Sequence, residues 1–171
     1  MWIQQETLYI WLPDNLNTNG ITNVAGFDLD WTLIKPERTK FPRNPQDNVI
    51  MKGRIPTLKK YLMAGYTIVV FSNQKLTPKE NLEYKLARMN DVIDKFQKEG
   101  ISLILMMATQ DDKYRKPEVG MWDVLRIIAK NIRVAFFSGD AAGRENDHSD
   151  SDLMFAKNIG IQFEIPEMVF R

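Results

Sequence analysis

Two aspartates separated by one residue follow a short apolar run: Asn23-Val24-Ala25-Gly26-Phe27 leads into Asp28-Leu29-Asp30-Trp31-Thr32. One carboxylate there can attack phosphorus and form an aspartyl phosphate, which splits a difficult hydrolysis into two displacements. The other can give a proton to the leaving oxygen and later take one from the attacking water. Three further polar groups stand at comparable places: Ser72-Asn73-Gln74, Arg115-Lys116-Pro117 and Gly139-Asp140. Lys116 offers a point charge, and Ser72 a hydroxyl and a backbone N–H, to a transferring phosphoryl group. Taken singly these are ordinary: Asp-x-Asp is mostly a turn or a cap, Ser-Asn a turn and Lys-Pro a loop. Their order and shared placement carry the reading.

The placement follows from the elements around them. Apolar runs rich in β-branched and aromatic residues occur at 7–11, 23–27, 67–71, 101–106 and 133–137. Most are continuous, as strands covered on both faces should be. Between them lie helical patterns. Thr77-Pro78 predicts a helix start; Leu82, Leu86, Met89, Ile93 and Phe96 recur at three- and four-residue intervals, and Gly100 ends the segment. A second helix is predicted from about Glu118 to Lys130, with Met121, Trp122, Leu125 and Ile128 as its packing face. Strands alternating with helices predict an α/β fold with a central, mostly parallel sheet, whose ligands sit beyond the carboxyl ends of the strands.

Composition narrows the chemistry. The chain has 171 residues, no cysteine and one histidine, His148. Disulfides, cysteine-ligated clusters and zinc sites built from several imidazoles are excluded. A metal here must be held by oxygen, which points to Mg²⁺. Size and the absence of repeats or linkers predict one domain over 1–171; no apolar run is long enough to span a membrane, and the first residues do not read as a secretion signal. A cytoplasmic or nuclear, non-secreted protein is expected. Net charge is +1, yet the stretch Lys35–Lys60 holds eight basic residues against Glu37 and Asp47. Charge alone leaves a solvated face and a nucleic-acid groove equally open.

The order DLDWT, SN, KP and GD resembles the four motifs of the haloacid dehalogenase (HAD) phosphatase superfamily, which implies a Rossmann-like HAD fold. Within it, the chain resembles the 3′-phosphatase domain of polynucleotide kinase/phosphatases. The segments that carry this are Val24–Asp30, Phe41-Pro42, Phe71–Gln74, Tyr114–Pro117, Gly120–Asp123, Gly139–Arg144 and Asp152–Ala156. The resemblance implies Asp28 as nucleophile and Asp30 as general acid and base, the latter with a pKa raised by its carboxylate neighbour. It implies Ser72, Asn73 and Lys116 as phosphate holders, Asp28, Asp30 (through its carbonyl) and Asp140 as Mg²⁺ ligands, and Asp152 as a support for Lys116 or the metal. Thr32, Trp31, Arg115 and Arg144 are the implied substrate contacts, the partner being a DNA 3′ end, single-stranded or at a nick or gap. Lys113 and the 35–60 stretch would hold the strand backbone; His148 is expected to be a bystander.

Trp31 departs from the family, which usually has glycine there. A side chain makes positive φ costly and adds bulk at the mouth, so Trp31 either stacks on a terminal base or packs under a loop. No Gly-x-x-x-x-Gly-Lys-Ser/Thr motif occurs, so a kinase half is not expected, and no insertion after Ser72-Asn73 is large enough for a cap domain. Two rival readings remain: a phosphatase of a small metabolite on the same fold, and a catalytically reduced DNA-end-binding module.

Overall fold

The apolar runs become strands because their alternate side chains meet two different helical layers. A computed structural model describes all residues, Met1–Arg171. In chain order the elements are β1 (Trp2–Gln5), β2 (Leu8–Trp11), β3 (Asn23–Phe27), β4 (Ile34–Lys35), β5 (Val49–Ile50), α1 (Arg54–Met63), β6 (Tyr66–Asn73), α2 (Leu82–Lys98), β7 (Leu103–Ala108), α3 (Gly120–Ile128), β8 (Val134–Ser138), α4 (Ser151–Ile159), β9 (Gln162–Glu164) and α5 (Pro166–Val169). Seven strands form one sheet in the order β1-β2-β7-β6-β3-β8-β9. From β7 to β9 every pairing is parallel, while β1 and β2 form an antiparallel hairpin added to the free edge of β7.

Val24, Val69, Phe71, Ile104, Met106 and Phe137 face one way and pack with Trp122 and Leu125 of α3 and Phe155 of α4. Ala25, Phe27, Ile68, Val70, Leu103 and Leu105 face the other and pack with Leu58 of α1 and Met89, Val92, Ile93 and Phe96 of α2. Each fully buried large side chain contributes about 1.5–3 kcal/mol. Gly26 is required where β3 runs through the aromatics: a Cβ there would lie 3.0 Å from the Phe136 carbonyl oxygen and 3.1 Å from the Phe137 ring.

Chain order reverses at β3, which leads on one side to β6 and β7 and on the other to β8 and β9. A crevice opens at such a switch point beyond the strand ends, and Asp28 is the first residue past β3. Between β3 and α1 the chain forms only the two-stranded β4–β5 flap, not a cap-sized insertion. No helix is long and apolar enough to cross a membrane.

Two local expectations are corrected, and one strand was not foreseen. Helix α2 starts at Leu82 rather than at Thr77-Pro78, because Asn81 is the cap: its side chain accepts the Tyr84 N–H at 3.0 Å. The Thr77 hydroxyl instead accepts the Glu80 N–H at 3.0 Å and closes a preceding turn. Helix α3 is shorter than the 118–130 span, beginning at Gly120 and ending at Ile128. The first strand, β1, gave no apolar run because three of its four residues are exposed at the sheet edge.

Candidate active site

The loop after β3 is wound tightly enough to bring both aspartates out of the pleat. The Asp28 N–H donates to the Ser138 carbonyl at 2.9 Å, which ties the end of β3 to the end of β8. Leu33 and Ile34 both donate to the Leu29 carbonyl, at 2.9 and 3.1 Å, and Trp31 donates to the Ile34 carbonyl at 2.7 Å. Trp31 takes the left-handed conformation, φ +61°, in spite of its side chain, which is 40% exposed. The positive φ that glycine would supply is therefore kept, at a cost of about 1–3 kcal/mol.

Lys116 lies at the centre of the site and is buried. Its ammonium donates to Asp28 Oδ1 at 2.7 Å and to Asp152 Oδ1 at 2.7 Å. Oxygens of Asp28, Asp140 and Asp152 lie within 4.8 Å of one another. Asp152 is buried under Gly139, where a Cβ would collide with its carboxylate, and its Oδ2 accepts the Ala141 N–H at 3.0 Å. Thr32 is fully buried; its hydroxyl lies 3.4 Å from both Asp28 Oδ2 and Asp140 Oδ1 and accepts the Asp140 N–H at 3.1 Å. It links the two acids and does not face outward.

Burial pushes the Asp28 carboxyl well above the usual carboxylate range; the charges of Asp152 and Asp140 add to the rise and Lys116 offsets part of it. Burial and Asp152 raise Asp140 as well. Burial would lower the Lys116 ammonium, but Asp152 and Asp28 outweigh it and hold it above its ordinary value. With all three carboxylates ionised, one ammonium leaves two negative charges for a cation to meet, through oxygen donors alone, a set suited to a hard divalent cation.

Asp30 behaves differently from expectation. Burial alone would raise its pKa, but the net shift is downward. The cause is Arg88 on α2, whose guanidinium forms an ion pair with both Asp30 oxygens, helped by the Gln74 amide, which donates to Asp30 Oδ2 at 2.7 Å. The carboxylate neighbour across Leu29 does not decide the matter. The Asp30 carboxylate lies outside the three-acid cluster, whose third member is Asp152.

Other candidates are distributed around this centre. Ser72 is buried and its hydroxyl accepts from Gln74 at 2.8 Å. Asn73 spends both ends of its amide on the Lys116 backbone, accepting its N–H at 2.9 Å and donating to its carbonyl at 3.1 Å. Arg144 is held by Asp147 at 2.8 Å and Glu167 at 3.1 Å and reaches the Asp140 carbonyl at 3.2 Å. Arg115 pairs with Asp111 at 3.1 Å, and Lys113 with Glu6 at 2.8 Å. His148 is exposed, 4.0 Å from Asp140. A charged cleft of about 560 Å³ adjoins Lys116, between Asp111, Asp112, Lys113, Arg115 and Glu118. Sequence reasoning missed Arg88, Asn48, which accepts from Arg88 Nε at 2.9 Å, and Lys85, whose ammonium donates to Gln74 Oε1 at 3.2 Å. The available signal was the α2 stripe, in which two cations occupy buried positions at 85 and 88.

Residues 23–170 match the model of the family described as polynucleotide kinase 3 phosphatase. The bifunctional polynucleotide phosphatase/kinase of Schizosaccharomyces pombe is 35% identical over 179 residues, an alignment that covers 99% of this chain and 42% of that protein. The chain thus spans less than half the length of that relative. A 20.8 kDa protein of Autographa californica nuclear polyhedrosis virus is 36% identical over 185 residues, covering 98% of this chain and 95% of the other. A Mesorhizobium loti protein described as a HAD-like phosphatase superposes with a TM-score of 0.76 at 17% identity, over 93% of this chain and 78% of that one. That likeness shows the fold: Rossmann-like, of the HAD type, without a large cap.

Proposed function

The chain belongs to the polynucleotide kinase 3 phosphatase family, and from that premise we propose that it removes the terminal 3′-phosphate of a DNA strand through an aspartyl phosphate on Asp28. The observation that carries this is the Lys116 ammonium shared between Asp28 and Asp152, with Asp140 alongside, at the switch point beyond β3.

In the first step an Asp28 oxygen attacks phosphorus. The bond from phosphorus to the ester oxygen breaks, its electron pair stays on that oxygen, and Asp30 supplies the proton that turns it into a 3′-hydroxyl. In the second step a water gives its proton to Asp30 and displaces the Asp28 carboxylate, releasing inorganic phosphate. Arg88 and Gln74 keep Asp30 ionised in the free enzyme, the form that serves the second step. The negative charge of an arriving phosphate favours its protonation for the first. Lys116 balances charge on the transferring phosphoryl group, and Ser72 lines its seat. Asp28, Asp140 and Asp152 provide the donor set for Mg²⁺, which when bound neutralises phosphate charge that would otherwise repel the nucleophile.

An open mouth and the basic flap support a polymer end as substrate. Lys35, Arg38, Lys40 and Arg43 lie between β3 and β5, and they would hold the strand by its phosphates and make binding salt-dependent. Trp31, 40% exposed, would stack on a terminal base. A DNA-end substrate would be met in the cytoplasm or nucleus. The test is phosphate release with Mg²⁺ from oligonucleotides carrying a 3′- or a 5′-phosphate and from a mononucleotide 3′-phosphate. Release confined to the 3′ end, faster on the oligonucleotide and abolished in Asp28→Asn, is expected. Equal release from both ends, or faster turnover of the monomer, overturns the substrate assignment.

A further inference from the structure

The Asp30 clamp has more parts than an ion pair needs for stability. Arg88 is only 2% exposed. Its Nη1 meets Asp30 Oδ2 at 3.3 Å, and its Nη2 donates to Oδ1. Two further donors are also committed: Nε to Asn48 Oδ1 at 2.9 Å, and Nη1 to Gln74 Oε1 at 3.3 Å. Asn48 is itself held, donating to the Pro45 carbonyl at 2.7 Å and to Asp91 Oδ2 at 2.8 Å. Arg88 is buried while the Asp30 side chain is 35% exposed, and an apolar side chain would fill the α2 stripe without desolvating a cation, so packing does not account for a guanidinium there. Two-point contact does something a point charge cannot: it fixes the plane of the carboxylate. Asn48, next to β5, carries the same chain of bonds to the base of the basic flap.

We propose that Arg88 is a positioning residue that sets the orientation of the Asp30 carboxylate for proton transfer, with Asn48 holding the guanidinium in register from the flap. This rests on the assignment of Asp30 as acid and base given above. General acid–base catalysis is worth about 10²–10⁴-fold, and a misplacement of about 1 Å costs about 10²-fold. Arg88→Met is therefore expected to lower kcat on a 3′-phosphate oligonucleotide about 100-fold with KM within about 2-fold. Arg88→Lys, which keeps the charge but loses the fork, recovers about 10-fold of that.

The decisive readout is the leaving group. Nitrophenolate departs without a proton, so the burst of nitrophenol from p-nitrophenyl phosphate changes little in Arg88→Met, while single-turnover formation of the 3′-hydroxyl oligonucleotide slows as kcat does. A purely structural role depresses both equally, and that result overturns the proposal, as does an unchanged kcat on the oligonucleotide. If Arg88→Met fails to fold, Asn48→Ala decides: a kcat loss of about 3–10-fold on the oligonucleotide alone supports the proposal, and no loss, or equal loss on both substrates, refutes it. A wild-type chain that releases no phosphate from the oligonucleotide contradicts the proposed function instead.

Discussion

Lys116→Met removes the one cation from a cluster of three acids, and the structure says what should follow. Both ammonium contacts are 2.7 Å and the residue is 3% exposed. Removing one partner of a buried pair costs about 3–5 kcal/mol. The acids that remain lie no more than 4.8 Å apart. If all stayed ionised, each pair would repel by at least about 3.5 kcal/mol at an effective dielectric constant of about 20. The raised Asp28 and Asp140 values mean that protons relieve part of this, so the loss should sit near the lower bound. About 3 kcal/mol corresponds to a fall in Tm of about 6–12 °C for a chain of this size. Melts followed by circular dichroism in EDTA measure it directly. Saturating Mg²⁺ should restore more Tm to the variant than it adds to the wild type, since the cation then meets an uncompensated cluster. Phosphate release should fall about 10²–10³-fold even where the variant is folded. The double variant Lys116→Met/Asp152→Asn removes a charge of each sign and should regain much of the lost Tm while staying inactive. A Tm within about 2 °C of wild type in EDTA, or a double variant less stable than Lys116→Met, would show that the charge argument is wrong.

Three other expectations follow from neighbouring features. Trp31→Gly relieves positive-φ strain but adds glycine's chain entropy, so stability should shift by no more than about 1 kcal/mol; KM on oligonucleotides should rise at least about 5-fold, and an unaltered KM removes the stacking role. Because the Asp28 carboxyl keeps its proton in the folded state after the unfolded chain has lost its own, its contribution to stability declines as pH rises from about 4 through the raised folded value. A divalent cation competes with that proton, so the Tm increment from Mg²⁺ should grow as pH rises above about 4, and a flat increment in a melt series would count against the cluster as the metal site. Asp47 accepts the N–H groups of Glu37 and Arg43, each at 3.0 Å, and pairs with the Arg43 side chain, which together hold its pKa far below the usual range. Its contribution is complete above the unfolded value and lost only as pH falls through the lower folded one. Asp47→Asn should therefore lower Tm at neutral pH, speed tryptic cleavage at Arg38, Lys40 and Arg43 and raise the oligonucleotide KM, with kcat little changed.

The parts of the fold that could be read in advance are those whose patterns report burial. Strands β3, β6, β7 and β8 are covered by helices on both faces, so their residues form apolar runs, and the polar residues that interrupt those runs mark the site. The α2 stripe was legible for the same reason. Edge elements were not: β1 shows three exposed residues in four, and β9 is half-buried. Long-range pairing was the other blind spot. Asp30 has Asp28 two residues away in sequence, which suggested a raised pKa, but its decisive partner is Arg88, 58 residues on. Asn73 and Thr32 show the same thing in milder form, since their polar atoms are committed to the Lys116 backbone and to Asp140 by contacts that local spacing does not predict.

The hairpin of β1 and β2 sets a limit on how the chain can be shortened. The family match begins at residue 23, which leaves both strands outside it. Yet β2 closes the open edge of β7, every residue of which is buried. The turn between the two strands also braces the loop leading to Lys116: Thr7 bonds Asp112, while Glu6 pairs with Lys113 at 2.8 Å and accepts from the Tyr114 hydroxyl at 2.7 Å. A version trimmed to the matched region would expose a bare apolar strand edge, which invites edge-to-edge association, and would free the segment that leads to Lys116. Boundaries drawn from family likeness alone would thus produce a protein prone to aggregate and poorly active, with its entire acidic cluster still in place.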